Sequence, residues 1–164
     1  MGRGVSGLRI ALAAYDTLDD AAADWAEYLT SAEPGSVIDG AIIERTHTEV
    51  TRFHAGTSCG WGRGVIACAV CGVLWPPALL VGALAGSVGG EVMTAVRCGL
   101  TADAVRDLSA VLERGSFVAM SVLDGRFDVP EGVGRRATSR TCALLAATQG
   151  ELVGALRSDD GRDA

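Results

Sequence analysis

Cys68 and Cys71 form a C-x-x-C pair, the spacing at which two thiols exchange a disulfide or supply half of a tetrahedral metal site. Cys59, Cys98, His47 and His54 are the residues that would complete such a site. Both members of the pair lie in a run without charge, where Cys behaves as a small hydrophobe and a bound cation would lack compensation. Packing is therefore the first reading of Cys68 and Cys71, and a soluble thiol or metal-binding module is the alternative. His47 and His54 are an odd number of residues apart, which puts them on opposite faces of a strand, so they do not act together. Ser58 with His54 lacks the acidic partner and oxyanion site that hydrolysis needs. The glycines around Gly62 and Gly64 do not make a phosphate loop, because the Gly-Lys-Ser/Thr ending is missing and the chain has no Lys. No catalytic constellation emerges. The expectation is a protein that is not an enzyme and uses no cofactor.

The run that holds the two cysteines must position them, and it is the most distinctive stretch of the chain. Between Arg63 and Glu91 no residue is charged, and Pro76-Pro77 falls near the middle. One continuous helix would reach about 40 Å, enough to span a membrane, but two adjacent prolines remove backbone donors and force Pro76 out of the helical region. Each half is then about 18 Å, short of the roughly 30 Å of a hydrocarbon core. The segment is expected to fold as a helical hairpin, with Trp75 at its tip, Trp61 and Arg63 at one end, and Glu91 marking its exit into solvent.

Small residues recur every four positions: Gly56, Gly60, Gly64, Cys68 and Gly72 in the first arm, Gly82, Gly86 and Gly90 in the second. That spacing lets helix backbones touch, in lipid or in a dry protein interface. Gly in a solvated helix costs about 0.5–1 kcal/mol relative to Ala, so these rows demand close contact with something. The expected interface is Gly60, Gly64, Cys68, Gly72, Trp75, Pro76, Pro77, Gly82, Gly86 and Gly90. Its partner is a second copy of the chain, membrane lipid or the other arm.

Composition narrows the classes further. The net charge is −6 over 164 residues, and all 14 basic residues are Arg. This excludes the clustered positive surface that nucleic acid requires. Five cysteines, an odd number, and no apolar stretch at the start long enough for a cleaved leader predict reduced thiols in the cytoplasm or at the cytoplasmic face of the membrane. Gly2 with Ser6 fits only the short acylation pattern, which arises often by chance. With 22 Gly and 5% aromatic residues, the core must be built from Ala, Val and Leu with backbones close together.

Around the run, periodicity predicts a small α+β domain. Leu8 to Ala14 alternates as a strand. Asp16 or Thr17 caps a helix whose face is Leu18, Ala21, Ala22, Trp25, Tyr28 and Leu29, ending before Pro34-Gly35. Val37 to Glu44 and Thr48 to Phe53 read as a hairpin. Thr101 caps a helix with the stripe Val105, Leu108, Val111 and Leu112, and Gly115 stands at the place of a left-handed C-cap. Ser116 to Leu123 is a strand. This order predicts a ferredoxin-like βαββαβ sandwich, two helices on one sheet face, formed by residues 8–57 and 97–123 of a single domain. The inserted hairpin occupies 58–96. Residues 124–156 make a loop, with a short edge strand near Arg136 to Thr138, and a C-terminal helix from Thr141 to Leu156. A polar tail, 157–164, is disordered.

The strand and helix Leu8 to Leu29, the strand Ala41 to Glu44, the segment Gly60 to Gly90 with Trp75-Pro76, and the helix and strand Thr101 to Leu123 together resemble a bacterial family of unknown function. Its members carry a Gly-rich apolar hairpin in a small α+β domain and are often labelled membrane protein or general stress protein. The resemblance covers about three quarters of the chain and brings no catalytic residues with it; the Cys content of the hairpin and the C-terminal third depart from the pattern. It implies self-association, membrane association or both through the hairpin. A third reading makes the hairpin a lid over an apolar pocket for a small ligand of unknown identity.

Overall fold

Leu8–Tyr15 forms strand β1, and Thr17 caps helix α1, Leu18–Ser31, by accepting a hydrogen bond from the Asp20 amide at 3.2 Å. Strands β2, Val37–Arg45, and β3, Val50–Gly56, follow. Next come helices α2, Gly90–Gly99, and α3, Ala102–Leu112, then strands β4, Phe117–Asp124, and β5, Ser139–Leu145, and helix α4, Gln149–Asp160. The structure is a computed structural model and describes residues 7–45, 50–56, 70, 73–74, 90–129 and 134–160. Gly60, Gly64, Cys68, Gly72, Trp75, Pro76, Pro77, Gly82 and Gly86 lie outside the described residues, as does Cys71, while Gly90 opens α2.

The α+β class is as expected, but the sheet differs from a ferredoxin-like one. Its five strands run β3-β2-β4-β1-β5, every neighbouring pair antiparallel. In the ferredoxin-like order the second strand of the β2–β3 hairpin would lie between β1 and β2. Here β4 takes that place. The reason lies in composition: β4 is buried at six consecutive positions, Val118 to Leu123, hence on both faces, and such a strand belongs in the centre of a covered sheet. β3 carries Arg52 and His54 and stays at the edge, where two register shifts in its pairing with β2 disrupt a flat outer ladder.

Helices cover both faces, not one. Leu8, Ile10, Leu12 and Ala14 of β1 and Val118, Met120 and Val122 of β4 share one core with Val96, Leu100, Leu108, Val111, Leu112 and Leu152, so α2, α3 and α4 lie on that side. Ala11, Ala13, Ala119 and Ile42 face the other way, under Ala21, Trp25 and Tyr28 of α1. Ala22 and Leu29, expected on the buried stripe of α1, are exposed. The α3 stripe is as expected, with Leu108, Val111 and Leu112 buried and Val105 partly so, and Thr101 accepts from the Ala104 amide at 3.2 Å.

Three further expectations are corrected. Gly115 is not left-handed; the described glycines with positive φ are Gly35 and Gly134. A Cβ at Gly115 would stand 2.9 Å from the Tyr15 backbone N and O, so close approach to β1 is what requires glycine there. The helix expected over Thr141 to Leu156 is instead the edge strand β5 and the shorter α4, which runs on to Asp160 and takes in residues 157–160 of the tail expected to be disordered. Thr148 and Glu151 form a reciprocal capping box, the Glu151 amide donating to Thr148 Oγ1 at 3.2 Å and the Thr148 amide to Glu151 Oε2 at 2.7 Å. That box starts a helix at 149 and releases the residues before it to pair with β1. Finally, the exit expected at Glu91 is the first turn of α2, where Glu91 is half-buried.

Candidate functional site

Asp24 is a carboxylate buried between α1 and the sheet. It lies on the inward face of α1, one turn from Ala21 and Tyr28, and is only 3% exposed. A buried carboxylate must be satisfied by donors, and three reach it. Tyr15 Oη, at the end of β1, donates to Oδ2 at 3.0 Å. The backbone amide of Arg136 donates to the same oxygen at 2.9 Å, and Arg136 Nη1 donates to Oδ1 at 2.5 Å. Arg136 Nη2 also donates to Glu27 Oε1 at 3.0 Å, one turn along α1. The guanidinium thus bridges two carboxylates while keeping its outer edge in water.

The electrostatic consequences follow from this geometry. The neighbouring Glu27 and Asp24 carboxylates hold the Arg136 pKa above its already high ordinary value. Burial, with the hydrogen bond to Asp24 adding to it, raises the Tyr15 hydroxyl well above the usual tyrosine range. Neither group exchanges protons near neutral pH. Tyr28 sits beside them, and burial pushes its hydroxyl up to about 12. Ser121 lies close enough to pull in the opposite direction, yet among the described residues the Tyr28 Oη has no partner at hydrogen-bonding distance and angle.

Beneath this cluster, small side chains leave a recess. Ala11, Ala13 and Ala119 floor it, and Asp24, Trp25, Tyr28, Ser121 and Gly134 wall it. Its free volume is about 20 Å³, roughly that of one water molecule. Trp25 closes one side by packing against Gly40, where a Cβ would meet the indole at 2.3 Å. A wider groove of about 560 Å³ lies on the surface between Ser31, Ser36 and residues 126–129. Among the described residues that line it, the one cation, Arg126, is paired with Asp124 at 2.6 Å.

Of the residues expected to form the functional interface, Gly90 is the one among the described residues, and it opens α2 rather than joining this cluster. The C-x-x-C pair lies outside the described residues, and Cys98 and Cys142 are free and exposed. Among the described residues, no group of three or more His, Cys, Asp or Glu could hold a metal ion. No described helix is long and apolar enough to cross a membrane. What is described of the central segment is helical at Val70, Val73 and Leu74, with Val70 and Leu74 buried in the core on the α2–α3–α4 side. Ser109 of α3 donates to the Leu74 carbonyl at 3.4 Å. Sequence reasoning missed the Asp24 cluster, although an acid on the buried stripe of an amphipathic helix was the signal for it. Comparison with protein-family models, with curated proteins and with solved structures finds no match to this chain.

Proposed function

We propose that this chain is a non-enzymatic protein that assembles with itself through its Gly-rich central segment. The observation that carries this reading is the burial of Val70 and Leu74, one helical turn apart, in the domain's own core. It supports a first arm that is helical and folded down onto the domain. At 100° per residue, a helix that turns positions 70, 73 and 74 inward turns positions 68 and 72 outward. The row Gly64, Cys68 and Gly72 would then face away from the core, where the second arm with Gly82, Gly86 and Gly90, or another copy, can approach closely. Asp24 and Glu27 of α1 are already bonded to Tyr15 and Arg136, which favours a structural role for these four. The resemblance to the Gly-rich hairpin family, with its membrane and stress labels, points the same way.

Sedimentation of the native chain, with and without mild detergent, tests the reading when repeated on Gly82→Leu and Gly86→Leu. A defined oligomer that both substitutions dissociate is the expected result. Recovery with the membrane fraction, released only by detergent, would assign the contact to lipid. An unchanged monomer in all variants would end the proposal.

A further inference from the structure

We propose that residues 134–138 form a strap, fastened to α1 by Arg136 on Asp24, which opens as a unit without unfolding the sheet and uncovers the recess between α1 and the sheet. The strap begins at Gly134, whose φ of 72° turns the chain back, and the Ala137 amide closes that turn on the Gly134 carbonyl at 3.0 Å. Its far end is tied to β1 by two bonds from Thr138, amide and hydroxyl, to the Ala14 carbonyl at 2.8 and 3.1 Å. Between these ends Arg136 makes its two bonds to Asp24 and one to Glu27. Apolar anchoring is slight: Gly134, which has no side chain, is buried and Ala137 is partly buried against the α1-side core, while Arg135, Arg136 and Thr138 are exposed. A segment held chiefly by polar bonds whose outer side faces water has a low free energy of local opening.

What opening does to Asp24 decides how the strap responds to substitution. With the strap closed, the Asp24 carboxylate is 2% exposed and depends on Arg136 for its compensating charge. Removing that charge penalises the closed form, because a buried carboxylate is left unpaired. The open form, in which water reaches Asp24, escapes the penalty. The whole cost of an Arg136 substitution therefore falls on the closing equilibrium, and the sheet beneath is spared. Opening presents the Asp24 carboxylate, the Tyr15 and Tyr28 hydroxyls and the Trp25 ring over a floor of Ala11, Ala13 and Ala119.

Hydrogen exchange of the full chain, resolved to single amides, tests this. The Arg136 and Thr138 amides are expected to exchange faster than those of β1 and β4, and Arg136→Ala to accelerate them about ten- to hundredfold while leaving the β1 and β4 amides unchanged. Arg136→Lys, which keeps the charge but not the forked geometry, should accelerate them less. If the strap amides exchange together with those of β1 and β4, or if Arg136→Ala accelerates both sets equally, the strap is part of the global fold and the proposal fails. Should Arg136→Ala not fold, the wild-type comparison and Arg136→Lys still decide between these outcomes.

Discussion

Gly40 and Tyr28 show how tightly single side chains on the α1 face are constrained. Trp25 occupies the space a Cβ would need at Gly40, and the Met120 carbonyl oxygen lies 2.9 Å from the same point. Gly40→Ala is therefore expected to displace the indole and cost about 1–3 kcal/mol, read from the midpoint of chemical denaturation. Tyr28 and Tyr15 set an upper pH limit on the fold. Both have raised pKa values when folded, whereas an unfolded tyrosine titrates near 10. Below about pH 10 neither state loses these protons, so stability is level. Above it the unfolded chain ionises first, and stability falls by up to about 1.4 kcal/mol per pH unit for each tyrosine. For Tyr28 the fall is complete by about 12, its folded value. Tyr28→Phe should remove its share of this slope in denaturation curves measured across alkaline pH, while a slope unchanged by the substitution would contradict the burial assigned to it.

At the scale of elements, the starts of α1 and α3 were the most legible features and the C-terminal third the least. Thr17 and Thr101 announce α1 and α3 because a cap is a local device, complete within four residues. The same rule, applied to Thr148 and Glu151, would have begun α4 at its true start. Ala143, Leu144 and Leu145 are also good helix formers, yet tertiary pairing with β1 makes them the end of strand β5. The exposed side chains of β5, Leu144 among them at 58%, do not look like a sheet's core face, and only the alternate residues reach it. Thr148→Ala should cost about 1 kcal/mol by removing the hydroxyl that accepts from the Glu151 amide, while the backbone amide at 148 keeps its bond to Glu151 Oε2. Leu152→Ala, deleting the fully buried contact of α4, should cost about 2–5 kcal/mol. The two effects arise on one element, so equilibrium denaturation of the double variant should show them as less than additive if Thr148→Ala frays the turn that holds Leu152.

The order of the strands is a property of the whole molecule, and no local pattern contains it. The uninterrupted apolar run of β4 did carry a hint, since a strand buried on both faces is drawn to the middle of a sheet that helices cover on both sides. The central Gly-rich segment raises the opposite question, whether it is an appendage or a piece of the domain. Read from the sequence alone it is an insertion, separable from the sheet. The burial of Val70 at 0% and Leu74 at 8% within the same core as Met120 and Leu108 says otherwise for that turn. If the turn helps to hold the core, Leu74→Ala should lower the stability of the sheet itself by about 2–5 kcal/mol, and Val70→Asp should lower it more by burying an unpaired charge. The far-ultraviolet circular dichroism of the sheet and helices during denaturation is the readout. An appendage would give the same midpoint in wild type and both variants, whatever happened to its assembly. A shared midpoint that falls in step with the substitutions would mean that the segment proposed to join copies also completes the core of each one, so that assembly and folding draw on the same residues.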